Sequence, residues 1–455
     1  MTTYQRTEKA ESGNSNAPLD VAPVPPPAAQ QEQPSAPTGV AALMKPMTDA
    51  LFGPVPVRIE YWDGSGIGPT DGPGTLYVRT PDAIRRIVWA PGELGLGRAF
   101  VSGELDVDGD LCEMIAALRP AGARLRNQLS ALPAVVRTAF RLHLVRPPLP
   151  APPEEAKPRG RLHTRGRDAQ SISHHYDVGN AFYQLLLGET MAYSCARFVE
   201  PTDSLDTAQN AKHELICRKL GLHERPGKRL LDVGCGWGGM AIHAARHHGA
   251  RVVGITISKE QAELARQRIH AAGVDDLIEI RLQDYRDLAD ETFDAISSIG
   301  MFEHVGKQRM AAYFSTLRPL LAPGGRMLNH AISSPGGSKL GKRSFTHRYV
   351  FPDGELMDVG DVVLAMESVG FEVRDVESLR EHYAQTARTW VANLREQWDE
   401  AVELVGEGRV RVWLLYLSAF SIGFDDGGVA VHQMLGVVPD RDGNSGMPRT
   451  RRAWN

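Results

Sequence analysis

Residues 228–239 read "KRLLDVGCGWGG". An apolar run closing on an acid, Asp232, meets Gly234, Gly236, Gly238 and Gly239 almost at once. Such a stretch predicts a strand entering a sharp glycine turn, with a helix behind it. "MAIHAARHHG" (240–249) supplies the helix, and the alternation continues in both directions of the argument. "ARVVGITIS" (250–258) reads as strand, "KEQAELARQRIHAAG" (259–273) as helix, and "IEIRLQDY" (278–285) and "FDAISSIGMFEHVG" (293–306) as strands. "AAYFSTLRPLLAPGG" (311–325) is helical and "RMLNHAIS" (326–333) is a strand again. Strands alternating with helices of about ten to fifteen residues predict βαβ units, hence an α/β fold with a doubly wound, mostly parallel sheet. We place this domain at residues 170–439.

The glycine loop has two chemical readings. Gly234, Gly236 and Gly239 satisfy the dinucleotide pattern G-x-G-x-x-G, with a helix N-terminus to receive a pyrophosphate. A dinucleotide site, however, wants an acid about twenty residues on for the ribose. Thr256 stands there instead. An acid two positions ahead of the first glycine also suits a cationic ligand without phosphate. S-adenosylmethionine meets both conditions, its sulfonium and ammonium groups favouring a nearby carboxylate. Its ribose and adenine would then lie against "TISKEQ", with Thr256, Ile257 and Gln261, and against "QDYRD", with Tyr285 as a stacking surface.

A second stretch, "SSIGMFEHVG" (297–306), ends an apolar run on Glu303 and His304. Ligands of open α/β sheets sit outside the carboxyl ends of the strands. Glu303 is therefore expected to face that crevice, and His304, its neighbour, to point away and pack or cap. His330, closing "RMLNH", and Ile332 are expected at the same edge. Residues 174–198, "HHYDVGNAFYQLLLGETMAYSCARF", precede the sheet and are read as a cover over it, contributing Tyr193, Ser194 and Cys195.

Outside this domain the composition changes. Residues 1–40 are rich in Pro, Ala, Gln and Ser and are expected to be a disordered tail. Residues 41–118 carry short β-like runs punctuated by glycine, such as "VPVRIEYWDG", with a strand, turn and helix in "TLYVRTPDAIRRIVWAP" and a turn and helix in "GELDVDGDLCEMIAAL". This predicts a small α+β domain. Residues 119–169 hold arginines between helically spaced apolar residues, then the Pro-rich linker "RPPLPAPPEEAKPRG". From Arg119 to Arg167 the basic residues outnumber Glu154 and Glu155 heavily, although the chain as a whole has a formal charge of −4. Residues 440–455 read as a flexible tail.

No run approaches the roughly 18 to 20 apolar residues of a membrane span, and no secretory signal is visible. Cys112, Cys195, Cys217 and Cys235 form no Cys-x-x-Cys pair and no zinc spacing, so reduced thiols, no metal and a cytoplasmic setting are expected. Nothing in the chain points to nucleic acid.

Taken together, "HHYDVGN", "YSCA", "LLDVGCGWGG", "GITISKEQ", "QDYRD", "MFEHVG" and "YVFPDGEL" resemble the cyclopropane-fatty-acyl-phospholipid synthases over about residues 170–435. The smaller N-terminal domain resembles that of the long bacterial members. The resemblance implies methyl transfer from S-adenosylmethionine to the double bond of an acyl chain, with a carbocation deprotonated by a bound bicarbonate. It assigns the bicarbonate to Cys195, Glu303, His330, Ile332 and Tyr383, the last in "REHYAQTARTW" (380–390). It assigns the nucleotide to Tyr193, Ser194, the loop from Asp232 through Gly234, Gly236 and Gly238, Thr256, Ile257, Gln261, Tyr285 and Arg286. It further implies a membrane phospholipid as substrate and a homodimer. With no span, the protein would dock peripherally at the inner membrane surface, and the arginine band has two readings, a contact for anionic headgroups or a solvated basic linker. The product stays open between a cyclopropane and a methylene or methyl branch, a saturated branch needing a separate reductase. Two other readings stand beside it: a small-molecule N-methyltransferase, and a non-catalytic S-adenosylmethionine-binding or lipid-binding protein.

Overall fold

The computed structural model describes residues 37–124, 132–142, 146–156, 178–337, 341, 344–352 and 354–454. The tail up to residue 36, residues 174–177 of the expected cover, and Arg126, Lys157, Arg159, Arg161, Arg165 and Arg167 of the basic band lie outside it.

Eleven strands form two sheets among the described residues. Four are N-terminal: β1 (Arg58–Tyr61), β2 (Gly66–Ile67), β3 (Gly74–Val78) and β4 (Leu105–Gly109), in the order β2-β1-β3-β4. "GELDVDG", read from sequence as a turn, contains β4. Its alternation of Leu105 and Val107 with acids is a half-buried strand pairing antiparallel with β3, too short to stand out beside two turn signals. The seven-stranded sheet contains β5 (Arg229–Val233), β6 (Arg251–Thr256), β7 (Ile278–Leu282), β8 (Phe293–Ile299), β9 (Leu321–Ser333), β10 (Glu372–Ser378) and β11 (Ala430–Val437), in the order β10-β11-β9-β8-β5-β6-β7. β7, β6, β5, β8 and β9 run parallel, and β11 is antiparallel to both β9 and β10. The doubly wound sheet expected from the alternation is present, with its switch point between β5 and β8.

Both faces of this sheet are covered. Leu230, Val252 and Ala295 pack under the Leu205–Lys219, Gly239–His248 and Lys259–Ala272 helices. Leu231, Val253 and Ile296 pack against the Met310–Leu317 and Val359–Ser368 helices on the other side. Burial on both faces explains why these strands read as apolar runs instead of alternating. A third apolar cluster, rich in aromatics, joins the Asn180–Leu187, Arg380–Glu396 and Glu407–Asp425 helices.

The four-stranded sheet has its own core of Met44, Tyr61, Ile84, Phe100 and neighbours, which also touches Leu414 and Leu415 of the Glu407–Asp425 helix. At Gly97 a Cβ would fall 2.2 Å from the Phe345 ring, so only glycine permits this approach between the N-terminal helix Glu93–Val101 and the Phe345–Tyr349 helix. The Pro-rich segment is fastened rather than free. Arg85 Nε, Arg86 Nη1 and Trp89 Nε1 donate to the carbonyls of Pro147, Pro150 and Arg146, each at 2.8 Å. Its far end carries Glu155, buried between Arg98 at 2.8 Å and Arg348 at 2.7 Å.

The C-terminal residues differ from the expected flexible tail. Arg451 Nε donates to Asp375 Oδ1 at 2.7 Å, and Trp454 is buried with the Lys219 ammonium 5.9 Å from its ring centroid. A tryptophan and an arginine in a polar stretch give a docked end a partner to seek, which local composition does not reveal.

Candidate active site

The main cavity opens at the carboxyl ends of β5, β6 and β8. Val233 leads into Gly234 (φ +77°), where a Cβ would meet Met301 at 2.9 Å; the loop therefore needs glycine to keep its cradle open. Trp237 Nε1 donates to Asn180 Oδ1 at 2.8 Å, tying the glycine loop to the helix that covers it. Thr256 Oγ1 donates to Gln261 Oε1 at 2.9 Å, fixing the second loop at the start of the Lys259–Ala272 helix. On the third, Asp284 holds Arg286, and the Tyr285 ring meets Tyr313 edge-on at 5.0 Å.

Of the residues expected at the nucleotide, Tyr193, Ser194, Asp232, Gly234, Gly236, Thr256, Ile257, Gln261, Tyr285 and Arg286 line this one cavity. Gly238 does not. Its φ of +79° makes it the cap of the Gly239–His248 helix, so its glycine serves the turn.

The floor of the cavity is charged. Asp232 accepts from Ser297 Oγ at 2.7 Å through Oδ1, while buried Oδ2 has no partner. Burial pushes its carboxyl up to about 6, against the hydrogen bond from Ser297 and the Lys212 charge. Lys212 is fully buried and donates to Ser194 Oγ at 2.9 Å. Burial pulls its ammonium down to about 7. Neither Lys212 nor the adjacent His213, which also lines the cavity, stood out in sequence, because both lie within a predominantly polar helix whose buried face its composition does not mark. An orphaned buried carboxylate oxygen beside an open glycine cradle fits a ligand carrying positive charge and no phosphate. S-adenosylmethionine is such a ligand, and its sulfonium supplies an electrophilic methyl group.

Glu303 and His304 exchange their expected places. His304 lines the cavity, and Glu303 does not. Residues Phe302–His304 form one 3₁₀ turn, whose successive side chains diverge by about a third of a circle. Glu303 turns instead to β9, where its Oε1 accepts the Ile332 N–H at 2.8 Å. Its Oε2 is buried without a partner, and burial lifts the carboxyl to about 7. His330, on β9, is buried with Nδ1 3.3 Å from Gln433 Nε2 and with Nε2 unpartnered. Cys195 is fully buried in the aromatic cluster, its Sγ 3.1 Å from the Ala196 carbonyl and 3.5 Å from that of Leu379, two acceptors for its one S–H. Burial pushes the thiol up, which removes it as a nucleophile. Tyr383 stacks on Phe424 at 4.6 Å in the same cluster. The structure thus joins Glu303 directly to Ile332, and none of the five candidate base-holding residues is among those that line the cavity.

Trp390 and Trp413 are buried and surround Tyr193, with ring centroids at 5.2 and 5.8 Å. All four cysteines are buried and unpaired. Cys217 lies with His243 and His248, their donor atoms within 4.8 Å of one another, a grouping across two helices that linear spacing conceals. Glu214 Oε2 sits between the two imidazoles, 3.3 Å from His243 Nε2 and 2.9 Å from His248 Nε2, and engages both Nε2 atoms by hydrogen bonding.

A doubly wound sheet with this loop and cavity defines an S-adenosylmethionine-dependent methyltransferase. The family model described as mycolic acid cyclopropane synthetase matches residues 163–434, and the chain belongs to that family. It is 42% identical to a probable fatty acid methyltransferase of Mycobacterium tuberculosis, across 88% of this chain and 94% of the relative. It is 34% identical to the cyclopropane-fatty-acyl-phospholipid synthase of Escherichia coli, across 77% and 85%. The crystal structure of the mycolic acid cyclopropane synthase CmaA1 with SAH and CTAB superposes with a TM-score of 0.56 at 34% identity, covering 59% of this chain and 97% of that one. The protein is a fatty-acid-modifying methyltransferase that uses S-adenosylmethionine.

Proposed function

We propose that the substrate is an unsaturated acyl chain of a membrane phospholipid and that the product is a cyclopropane. The alkene carbon bonds to the methyl group as the carbon–sulfur electron pair returns to sulfur, leaving a cation on the neighbouring carbon. The former methyl group then gives up a proton and closes the ring. That proton goes to a bicarbonate held by Glu303, His330, the Ile332 backbone and neighbours. The observation carrying this reading is the Glu303 carboxyl, buried, anchored at one oxygen by Ile332 N–H and with its other oxygen unsatisfied. A carboxylate amid aromatic rings stabilises a cation and keeps out the water that would trap it.

Access to lipid would come from the Leu132–Arg141 helix, where Val136 and the two-thirds-exposed Phe140 accompany exposed Arg137 and Arg141. No helix among the described residues is long and apolar enough to cross a membrane. Peripheral docking at the inner surface is part of the proposal. A homodimer is part of the same proposal.

A second reading retains the methylation but ends in a methylene or methyl branch. It is favoured by the name of the 42%-identical relative, a probable fatty acid methyltransferase, and a saturated branch would call for a separate reductase. The test incubates the protein with S-adenosylmethionine and liposomes of an anionic mono-unsaturated phospholipid, then analyses released fatty acids by gas chromatography and mass spectrometry. A fatty acid heavier by one CH2 with ring-type fragmentation supports the first reading, and branch-type fragmentation supports the second. Unchanged lipid with cofactor binding intact refutes both.

A further inference from the structure

We propose that Gln433, oriented by Lys219, fixes the tautomer of His330 so that the ring proton sits on Nε2, ready to donate to an anionic oxygen. Gln433 and Lys219 are then positioning residues. The inference deepens the reading of His330 given above and rests on it for its catalytic consequence.

The arrangement follows from strand register. Gln433 on β11 lies directly opposite His330 on β9, and Glu377 on β10 lies directly opposite Gln433. Residues opposite one another share a face, so Glu377, Gln433 and His330 form a row across three strands. Lys219, ending the Leu205–Lys219 helix, reaches that row. Its ammonium contacts Asp375 Oδ2 at 3.0 Å, Gln433 Oε1 at 2.9 Å and the Glu377 carboxylate.

An ammonium has three protons to donate and accepts nothing. That of Lys219 hydrogen-bonds Glu377 and Gln433 and pairs by charge with Asp375, so Gln433 must turn its carbonyl oxygen, its one acceptor, toward Lys219. Its NH2 group is thereby directed at His330, with Gln433 Nε2 3.3 Å from His330 Nδ1. The NH2 only donates, so Nδ1 must accept and carries no proton. The opposite tautomer would set two donors face to face. Burial, then the Lys212 and Lys219 charges and His432, holds the imidazole in its neutral form. In a neutral imidazole with bare Nδ1 the proton is on Nε2. That atom is buried and lacks a protein partner, which is the condition of a donor awaiting a ligand acceptor.

Neither the register nor Lys219 was visible in the sequence motifs. The row also extends to the C-terminal end, since Asp375 is shared with Arg451 at 2.7 Å and Trp454 lies over Lys219.

The test is nitrogen-15 NMR of the full chain labelled at histidine, the His330 signals being assigned by their loss in His330→Gln. The expected spectrum shows an unprotonated Nδ1 and a protonated Nε2. A protonated Nδ1 in the wild-type protein overturns the proposal, and this readout needs neither substrate nor turnover. Gln433→Glu offers an acceptor in place of the NH2 and is expected to move the proton to Nδ1. Its kcat should fall about tenfold or more while the Kd for S-adenosylmethionine stays within about twofold. A flipped tautomer with wild-type kcat removes the positioning role. If that variant does not fold, the wild-type spectrum still decides. A lipid assay without product sinks the proposed reaction and leaves the tautomer result standing.

Discussion

Glu303 accepts the backbone N–H of Ile332 at 2.8 Å, so a residue that follows β8 is latched to the end of β9. The latch occupies one carboxylate oxygen and leaves the other for chemistry. It also places an ionisable group where ionisation is costly, which gives the site a pH signature. Raised from 4.5 to about 7, this carboxyl binds more protons in the folded than in the unfolded chain between those values. Its contribution is therefore most favourable below about pH 4.5 and is lost as pH rises through about 7.

Glu303→Gln retains an acceptor for Ile332 N–H and cannot ionise. It should raise stability above pH 7 by up to about 3 kcal/mol, with little change at pH 4.5. Turnover should be lost while S-adenosylmethionine affinity persists. Urea unfolding at the two pH values and isothermal titration check both halves, and full activity in the variant would remove Glu303 from the reaction.

Asp232 faces the expected position of the cofactor's cationic groups. Asp232→Asn should weaken S-adenosylmethionine binding about tenfold or more, the magnitude of a hydrogen bond to a charged group. In the wild type, affinity should rise with pH through about 6 as the carboxyl ionises, and the variant should lack that limb. Calorimetric titration from pH 5 to 8 would show it.

Glu155 joins the Arg98 and Arg348 guanidiniums, which hold its carboxyl below the usual range even though burial pushes the other way. With a depressed folded value, its contribution is present above about pH 4.5 and vanishes as pH falls further. Glu155→Ala leaves two arginines without their partner and should cost about 3 kcal/mol at pH 7. Chemical denaturation of the full chain measures this, with a smaller penalty expected at pH 3.

Trp454 fills a buried position beside Lys219. Trp454→Ala should destabilise the protein by about 3 kcal/mol, as large-to-small changes of a buried aromatic do. An unaltered denaturation midpoint would show that the C-terminal residues contribute nothing to the fold.

Liposome binding should fall with salt, because Arg137 and Arg141 act through a screened surface potential. Replacing both by Ala should lower partition into anionic vesicles about tenfold. Phe140→Ala should lower it too, at any ionic strength. Flotation assays at two salt concentrations separate the effects, and salt-insensitive binding contradicts the docking proposal.

The sheet was legible, and so was the meeting of the three loops at one cavity, because each strand leads directly into its own glycine or cap. Asp232 to Gly236 and Thr256 to Gln261 are local arrangements, and local spacing suffices to place them. Lys212, His213 and His304 reach the cavity through helix rotation and a 3₁₀ turn, which a motif does not encode. Cys195 and Tyr383, expected at the site from their motifs, have side chains in an aromatic core formed by three helices distant in sequence and are not among the residues that line the cavity. Strand β4 and the docked Trp454 were missed for a related reason: each is stabilised by what it packs on, not by its own pattern.

The Pro-rich segment, fastened to the Pro81–Trp89 helix at one end and to Arg348 at the other, acts as a splint. It ties the N-terminal helices Pro81–Trp89 and Glu93–Val101 to the Phe345–Tyr349 helix of the larger domain. In the docking proposed above, a tilt that a bilayer imposed through Phe140 would be handed on to the mouth of the cavity, and the angle at which an acyl chain arrived would be set by how the protein lay on the lipid.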